Sequence, residues 1–257
     1  MEEKSVQSVD RTFDIIELLA VSGNGMGITE IGKKLGLHKS TVYRLVNALV
    51  RRGYLEKVQN TGLYKIGPKF VEISGLYLRQ VELKTEAMPF MRNLSDLTGQ
   101  VTHLAILDET EIVYIEKIDV MPGLRMYSQI GRRVPVHCSA LGKALLSAQE
   151  ENFRESILKK IKYEQYTENT ITDEDEFRKE LEKTRLRGWA ADNEEHEKGI
   201  RCIAAPIRDY TGKAVAALSI TGSSTKVSPE KDEYYGKMVA EAADNISRRL
   251  GFTGKVT

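Results

Sequence analysis

The stretch that most constrains the fold of this chain is residues 28–55, ITEIGKKLGLHKSTVYRLVNALVRRGYL. Its apolar side chains recur at three- and four-residue steps, the spacing of a buried helix face, in two runs: Ile28, Ile31 and Leu35, then Val42, Leu45, Val46 and Leu49. Gly36 lies between the runs and is suited to end the first helix, because glycine adopts the left-handed conformation at little cost. With small Gly32 and apolar Leu37 near the crossing, the pattern predicts a helix-turn-helix whose second helix begins near Lys39.

The predicted outer face of that second helix carries side chains of the types that bind DNA. They are Lys39, Ser40, Thr41, Tyr43, Arg44 and Asn47. Arginine pairs with guanine and asparagine with adenine at base edges, while hydroxyl groups reach phosphates. Amides at the helix N-terminus, near Ser40 and Thr41, also favour a phosphate. Alone, these residues would indicate only a solvated polar face; within the helix-turn-helix pattern they predict a major-groove reader of double-stranded DNA.

Two short strands are predicted next, at 54–58 and 63–66, and the turn QNTG at 59–62 joins them. Such a hairpin forms a wing, on which Lys57 and Lys65 are placed to contact backbone phosphates. The distribution of charge also favours contact with phosphates. Residues 28–69 contain nine Lys or Arg and two acidic residues, a net +7 in a chain whose total is +1. A basic segment beside a mildly acidic remainder suits salt-sensitive binding of phosphate by one part of the protein.

A helix is also predicted before this segment, at 8–20, SVDRTFDIIELLA. Its expected apolar face contains Val9, Phe13, Ile16 and either Leu19 or Ala20. Ser8 or Asp10 is expected to cap its first turn, because a short polar side chain there can accept a hydrogen bond from a free amide.

Composition excludes several classes of protein. The 257 residues, 41% of them hydrophobic, suffice for one large domain or two modest ones. The two cysteines, Cys138 and Cys202, form no CxxC pair, so neither a disulfide framework nor a structural zinc site is predicted. No apolar run approaches the ~18 residues of a membrane span, and the first residues lack the apolar core of a signal peptide. We therefore expect a cytoplasmic protein without contact with a membrane.

The remainder of the chain mixes helices and strands. Helices are predicted at 69–79, 83–97, 138–146, 150–187 with a break near 166–172, and 229–250; strands are predicted at 101–108, 111–119, 124–130, 189–193, 201–209 and 213–221. Strands enclosed by flanking helices indicate an α+β domain on a largely antiparallel sheet.

Four segments make the chain resemble a known family: STVYRLVNALVRRGYL, IGRRVPVHCSALGKALL, GWAADNEEHEKGIRCIAAPIRD and AVAALSITG. The chain resembles the IclR family of bacterial transcriptional regulators over nearly its whole length. Within the family it is most similar to the regulators of 2-keto-3-deoxygluconate and pectin breakdown. The resemblance implies a winged helix-turn-helix DNA-binding domain at 1–68, a linker helix at 69–80, and a GAF-like effector-binding domain at 81–257. It also implies homodimers, assembled as dimers of dimers, and small sugar-acid or keto-acid effectors.

Carried over residue by residue, the resemblance places the effector pocket at Met126, Val134, Ala140, Leu141, Asp192, Ile200, Cys202, Ser219 and Thr221. Ser219 and Thr221 are two apart in a strand, so their hydroxyls point to the same side and can bind one ligand. The turn at Ala140 and Leu141 opens a helix whose amides suit a carboxylate. An ionised Asp192 cannot contact an anion directly, so it is expected to accept a hydrogen bond from a sugar hydroxyl.

Each of these residues also has a purely structural interpretation. Cys202 suits a small core position, Ser219 and Thr221 suit ordinary strand hydroxyls, and Asp192 suits a turn. His137 beside Cys138 suggests a catalytic dyad or metal site, but neighbouring strand residues point to opposite faces and no spaced third ligand follows. His103 is expected to be a buried, hydrogen-bonded histidine, and His196 to lie in a charged loop.

The function predicted from these observations is a ligand-responsive DNA-binding regulator, a repressor relieved by 2-keto-3-deoxygluconate or a related sugar acid. We predict no catalytic residue, no metal and no cofactor. Paired reading heads would address half-sites about one helical turn, ~34 Å, apart. Three alternatives remain: a regulator of another carboxylate or aromatic-acid pathway, a cysteine-dependent enzyme on a GAF-like fold, and a constitutive architectural DNA-binding protein.

Overall fold

The computed structural model describes residues 6–80, 82–119 and 129–254. The chain divides into two compact units, Met1–Val81 and Glu82–Thr257. Each has its own hydrophobic core. No helix within the described ranges is both long and apolar enough to cross a membrane.

The first unit contains the predicted winged helix-turn-helix. Its elements are α1 (Gln7–Ala20), α2 (Ile28–Leu35), α3 (Lys39–Arg51), β1 (Leu55–Lys57), β2 (Tyr64–Ile66) and α4 (Lys69–Gln80). Gly36 ends α2 in the left-handed conformation, with φ 65°, and its amide donates a hydrogen bond to the Gly32 carbonyl. β1 and β2 pair antiparallel, as a wing requires. The helix-turn-helix prediction is therefore confirmed, including the residue that separates the two helices.

The core of this unit explains one wrong prediction. Ile31, Val42 and Val46 are fully buried, and α1 packs against them through Ile15 and Leu19. Apolar residues occur on more than one face of α1, and the packing of α2 and α3 selects the face through Ile15. The expected face joins the core only at its end, through Leu19 with Ile16 packed against the core, while Val9 and Phe13 are exposed, Phe13 by 57%.

The expected cap of α1 is also absent. Val6 occupies the capping position and no side chain caps the helix, so neither Ser8 nor Asp10 has that role. The amides of Val9 and Asp10 instead donate to the carbonyl of Val6. The helix begins earlier than its polar residues suggested, which moves both of them inside it.

The second unit is built on a six-stranded sheet. Its elements are α5 (Glu82–Thr98), β3 (Val101–Asp108), β4 (Glu111–Ile118), β5 (Arg133–Pro135), α6 (Ala140–Ser147), α7 (Glu151–Leu158), α8 (Glu174–Arg187), β6 (Ala190–Asn193), β7 (Ile200–Arg208), β8 (Ala214–Ser223) and α9 (Asp232–Arg249). The strand order is β5-β4-β3-β8-β7-β6, and every neighbouring pair is antiparallel. The predicted α+β class with an antiparallel sheet is confirmed.

Helices cover both faces of this sheet. α5 and α9 pack on one face, while α6 packs on the other with α8 behind it. Successive side chains of β8 point to opposite faces of the sheet. Ala217 joins the core around α6, whereas Ile220 faces away from that core. Side chains two apart along β7 and β8 therefore share the α6 side of the sheet, which positions the cavity described below.

Two local features differ from what was predicted, and a third prediction stays a prediction. The strand β5 was not foreseen, because three residues are too few to produce a periodic pattern. The strand predicted at 124–130 falls almost entirely outside the described residues. The break predicted near 166–172 is longer, from the end of α7 to Asp173, whose side chain accepts a hydrogen bond from the Glu176 amide and so starts α8.

Candidate functional site

A polar ridge follows the outer side of α3, opposite the buried Val42 and Val46. Ser40, Tyr43 and Arg44 are exposed on it, and Asn47 is half-buried beside them. These positions recur at three- and four-residue steps, so the side chains point to one side of the helix. Arg51, which was not among the predicted DNA-binding residues, is exposed one turn beyond Asn47 on the same side.

The start of α3 supports the phosphate prediction only in part. Lys39 and Ser40 are exposed there. The amide of Thr41 donates to the His38 carbonyl at 2.9 Å, and Thr41 is half-buried. An amide that already has an acceptor is poorly suited to a phosphate, so a phosphate contact from Thr41 would have to come from its side-chain hydroxyl.

The wing presents its two lysines on different faces. Lys65 pairs across the hairpin with Glu56, and Lys57 pairs with Tyr64, so successive pairs point to opposite sides. The Lys65 ammonium lies 2.9 Å from the Glu56 carboxylate. Lys57 is exposed at the end of β1 and forms no ion pair with any described residue. Of the two, Lys57 is better placed to meet a backbone phosphate.

The second unit contains a cavity between its sheet and the start of α6. Including the open space at its mouth, the empty volume of the cavity is about 630 Å³. Its walls are formed by His103, Tyr114, Arg132, Val134, Ser139, Ala140, Leu141, Asp192, His196, Glu197, Ile200, Cys202 and Thr221. Seven of these residues had been predicted as effector contacts: Val134, Ala140, Leu141, Asp192, Ile200, Cys202 and Thr221.

Three adjacent strands supply a row of polar groups to this cavity. Asp192 on β6 pairs directly with Cys202 on β7, which pairs with Thr221 on β8, so the three side chains lie abreast on the α6 side. The hydroxyl of Thr221 lies 3.2 Å from both the Cys202 sulfur and Nδ1 of His103. The row presents a carboxyl, a thiol and a hydroxyl to a bound molecule.

Burial controls the protonation of this row. It raises the pKa of Asp192 to about 7, assisted by the nearby negative charge of Glu195. It also lowers the pKa of His103 to about 3, with a smaller contribution from the positive charge of Lys117. Near neutral pH, the imidazole is therefore uncharged and Asp192 is poised between its neutral and ionised forms.

The start of α6 forms the opposite wall. Ser139 caps the helix, and its hydroxyl accepts a hydrogen bond from the Gly142 amide at 3.0 Å. The first helical amides, at Ala140 and Leu141, lie beside the cavity and have no acceptor within the helix. A Cβ on Gly142 would collide with the backbone of Val136, so glycine at this position allows α6 to pack closely against Val136.

Several wall residues were not foreseen as contacts. His196 lies in a charged loop, as expected, and it also lines the cavity and stacks on Tyr166, with 5.2 Å between ring centroids. His103 is buried as expected, yet it also reaches the cavity. Tyr114 and Arg132 come from β4 and from the residues before β5. Such residues converge only through strand pairing, so no local signal could identify them.

The other two predicted pocket residues have different outcomes. Met126 lies outside the described residues. Ser219 is completely buried on the same side of β8 as Thr221, but it does not line the cavity. Its hydroxyl has no hydrogen-bond partner among the described residues. The prediction that Ser219 and Thr221 share a side agrees with the strand geometry, while only Thr221 faces the open space.

The interpretation of the neighbouring residues His137 and Cys138 also needs correction. His137 and Cys138 belong to a 3₁₀ turn at Val136–Cys138 and not to a strand, so the argument from alternating strand faces does not apply to them. Burial raises the pKa of both the Cys138 and the Cys202 thiol well above the usual value, which disfavours the thiolate. Within residues 6–80, 82–119 and 129–254, no three His, Cys, Asp or Glu side chains are grouped to hold a metal ion.

Sequence models of two known domains match the chain. The model of the IclR helix-turn-helix domain covers residues 8–59, and that of the bacterial transcriptional regulator IclR C-terminal covers residues 75–248. The chain belongs to the IclR family of bacterial transcriptional regulators. The resemblance stated from the sequence is thereby confirmed, and this IclR-family regulator falls in a family of transcription factors and not of enzymes.

Individual relatives are similar over almost the full length. The HTH-type transcriptional regulator KdgR of Escherichia coli is 39% identical over 248 residues, which span 96% of this chain and 94% of that protein. The crystal structure of the Thermotoga maritima IclR superimposes with a TM-score of 0.82 at 32% identity, covering 96% of this chain and all of that one. An IclR homologue from Microbacterium hydrocarbonoxydans, solved with 4-hydroxybenzoate, also superimposes with a TM-score of 0.82. It is 26% identical, and the match covers 95% of this chain and 98% of that one.

Proposed function

We propose that this regulator is a repressor whose affinity for its operator is lowered by a small carboxylate bound in the second unit. One observation carries the proposal: across a cavity, the row Asp192, Cys202 and Thr221 faces the first amides of α6, which have no acceptor within the helix, in a chain whose other unit is a basic winged helix-turn-helix. A ligand that binds the DNA-free conformation more tightly shifts the population away from DNA.

The cavity favours an effector that has both a carboxylate and hydroxyl groups. The amides of Ala140 and Leu141, together with the Arg132 guanidinium, suit the carboxylate. Thr221 suits a hydroxyl group, and Asp192 either accepts from a hydroxyl or, when neutral, stands beside an anion. We infer a sugar acid or keto acid, with 2-keto-3-deoxygluconate as the first candidate, and the 39% identity with KdgR supports that choice.

An aromatic acid is the second candidate. Tyr114, Val134, Leu141 and Ile200 give the cavity an apolar wall that suits a ring. A homologue of the same fold has been solved with 4-hydroxybenzoate, which is an aromatic carboxylate with one hydroxyl. The two candidates share the carboxylate and differ in what contacts this wall.

On the DNA side, we propose that Arg44 and Asn47 read base edges while Ser40, Lys39, Tyr43, Thr41, Lys57 and Lys65 contact the backbone. A homodimer would carry two such heads and address half-sites about one helical turn apart. Dimers of dimers remain the assembly that we expect from the family resemblance. Because the target is bacterial DNA, the protein would act in the cytoplasm.

We propose that the chain is not an enzyme. Both thiols have raised pKa values, so neither is a ready nucleophile. A Cys202→Ser variant would abolish turnover if the thiol were catalytic, whereas it would only change effector affinity if Cys202 is a wall residue.

Fluorescence anisotropy with the DNA upstream of the protein's own gene tests the regulatory function. Full-length protein is titrated into labelled DNA in the absence of ligand, then with 2-keto-3-deoxygluconate, galacturonate, pyruvate or 4-hydroxybenzoate. We expect nanomolar-range binding, characteristic of specific sites, that one of the acids weakens about tenfold or more. If the protein binds this DNA and none of the four acids changes its affinity, the proposed effector classes are wrong.

A further inference from the structure

A buried ion pair lies directly behind the cavity wall. Lys143 of α6 and Glu195, in the loop after β6, place Nζ and Oε1 2.6 Å apart, with side chains only 1% and 6% exposed. Neither residue lines the cavity. Removing two charges from water is costly unless each finds a partner and further hydrogen bonds. The pair therefore fastens the loop to the same helix whose first residues face the cavity.

Both members of the pair make further hydrogen bonds around Asp192. The Lys143 ammonium also donates to the Ala191 carbonyl at 3.0 Å. The Glu195 carboxylate accepts from the Asn193 amide at 3.1 Å, and the Glu195 amide donates to Oδ1 of Asp192 at 2.8 Å. The residues on either side of Asp192 are thus fixed to the ion pair, and so is its carboxyl.

The same loop is tied to a segment without regular structure between α7 and α8. Thr170 donates to the Glu195 carbonyl at 2.6 Å, and Thr167 donates to the Glu194 carbonyl at 2.7 Å. Tyr166 stacks on His196, which lines the cavity. The loop at 193–199 therefore connects an exterior segment and a buried ion pair with three residues of the cavity wall, Asp192, His196 and Glu197.

We propose that Lys143 and Glu195 are positioning residues for effector binding, because their ion pair holds the loop at 193–199 in the conformation that presents Asp192 and His196 to the cavity. The inference rests on the effector cavity of the proposed function. It predicts that two residues without contact to the ligand control its affinity, while the affinity of the ligand-free protein for DNA does not depend on them.

The test compares two matched pairs of substitutions in the full-length protein. K143M/E195Q removes both buried charges and nearly preserves the shapes, which avoids the strongly destabilising case of one unpaired buried charge. K198M/E168Q makes the same two changes in an exposed pair, 3.1 Å apart and 79% and 73% exposed, that joins the same loop to the segment between α7 and α8. Any effect restricted to the first variant belongs to the buried pair.

Hydrogen–deuterium exchange of the ligand-free proteins is the first measurement, and calorimetric titration with 2-keto-3-deoxygluconate is the second. For K143M/E195Q we expect exchange at 193–199 to be about tenfold faster, equivalent to a tenfold change in the opening equilibrium. β7 and β8 should keep their protection, and DNA affinity should stay unchanged. Effector affinity should fall about tenfold. K198M/E168Q should match the wild type in every respect.

Unchanged exchange at 193–199 in K143M/E195Q overturns the proposal, as does unchanged effector affinity when the wild type binds the acid. Loss of protection throughout the second unit also overturns it, because the pair would then support the whole domain and not the loop. If the wild type does not bind 2-keto-3-deoxygluconate, the proposed effector is wrong. The exchange measurement on ligand-free protein then decides the positioning role by itself.

Discussion

The two units present their candidate functional side chains in opposite ways. In the first, Ser40, Tyr43 and Arg44 are exposed on a helix whose other face forms the core. In the second, Asp192 and Thr221 are buried on a sheet and hydrogen-bonded to other protein groups. DNA brings its own charge to the surface of the protein, whereas a small effector must be surrounded before it can be recognised.

This difference separates function from stability in one unit and couples them in the other. An exposed side chain such as Arg44 can be removed with little effect on the core beneath it. A buried group such as Asp192 or Glu195 is part of the packing, so its replacement alters the fold and the ligand site together. The following predictions test how far that separation holds.

Arg44→Ala is expected to have the largest effect. Loss of a base-edge contact costs about 1–3 kcal/mol, or roughly five- to 150-fold in operator affinity, and relaxes the base preference at one position. Effector affinity should not change, because the cavity belongs to the other unit. Anisotropy and calorimetry measure the two affinities. Arg185→Ala, an exposed arginine of the second unit, is the control, and an equal loss in both variants would contradict a reading role for Arg44.

Thr221→Val tests the buried row with a substitution that preserves shape. It removes a hydroxyl expected to bind the effector, so effector affinity should fall about tenfold, the value of one hydrogen bond to a charged or polar partner. Ligand-free DNA binding should remain unchanged. Thr211→Val makes the same change at an exposed turn and should have no effect. Unchanged effector affinity in Thr221→Val would remove that residue from the site.

The pH dependence of effector binding tests Asp192. Burial first, and then the charge of Glu195, raise its pKa to about 7, so it is mainly neutral at pH 6 and mainly ionised at pH 8. An anionic effector binds beside the neutral form, so affinity should fall about tenfold between those pH values. Asp192→Asn should retain the affinity at pH 6 and abolish the fall. Affinity that rises with pH would instead assign Asp192 the role of acceptor for a hydroxyl.

The same pKa makes a prediction for stability. A carboxyl whose pKa is higher in the folded state than in the unfolded state stabilises the fold less as pH rises from about 4 to about 7. The wild type should therefore lose stability over that range relative to Asp192→Asn. Chemical denaturation at pH 5 and pH 8 measures this difference, and two parallel stability profiles would contradict the pKa shift.

The wing lysines are expected to show the smallest effects. Lys57→Ala should weaken DNA binding about fivefold at ~0.15 M salt and lower the salt slope by about one, for any DNA sequence. Lys65→Ala should have a smaller effect, because Lys65 is already paired with Glu56. Titrations at several salt concentrations give both slopes. Equal losses in the two variants would show that the Glu56 pair opens when DNA binds.

The first unit could be predicted from the sequence more fully than the second. Gly36 and the periodic residues of α2 and α3 act within a few residues of each other, so the helix-turn-helix could be inferred directly. The face of α1 could not, since its choice between Phe13 and Ile15 depends on packing against other helices. In the second unit, Cys202 and Thr221 were identified through the family resemblance, and nothing local indicated Lys143 or Glu195.

By itself, the sequence determined where helices and strands form and which segment is basic, because periodicity, glycine turns and charge are properties of neighbouring residues. Only the tertiary structure decided that Asp192, Cys202 and Thr221 stand abreast, since that depends on the register of β6, β7 and β8. It alone also brought Lys143 to Glu195. A register shift of one residue would turn every side chain of a strand to the other face, and packing of the whole sheet sets that register.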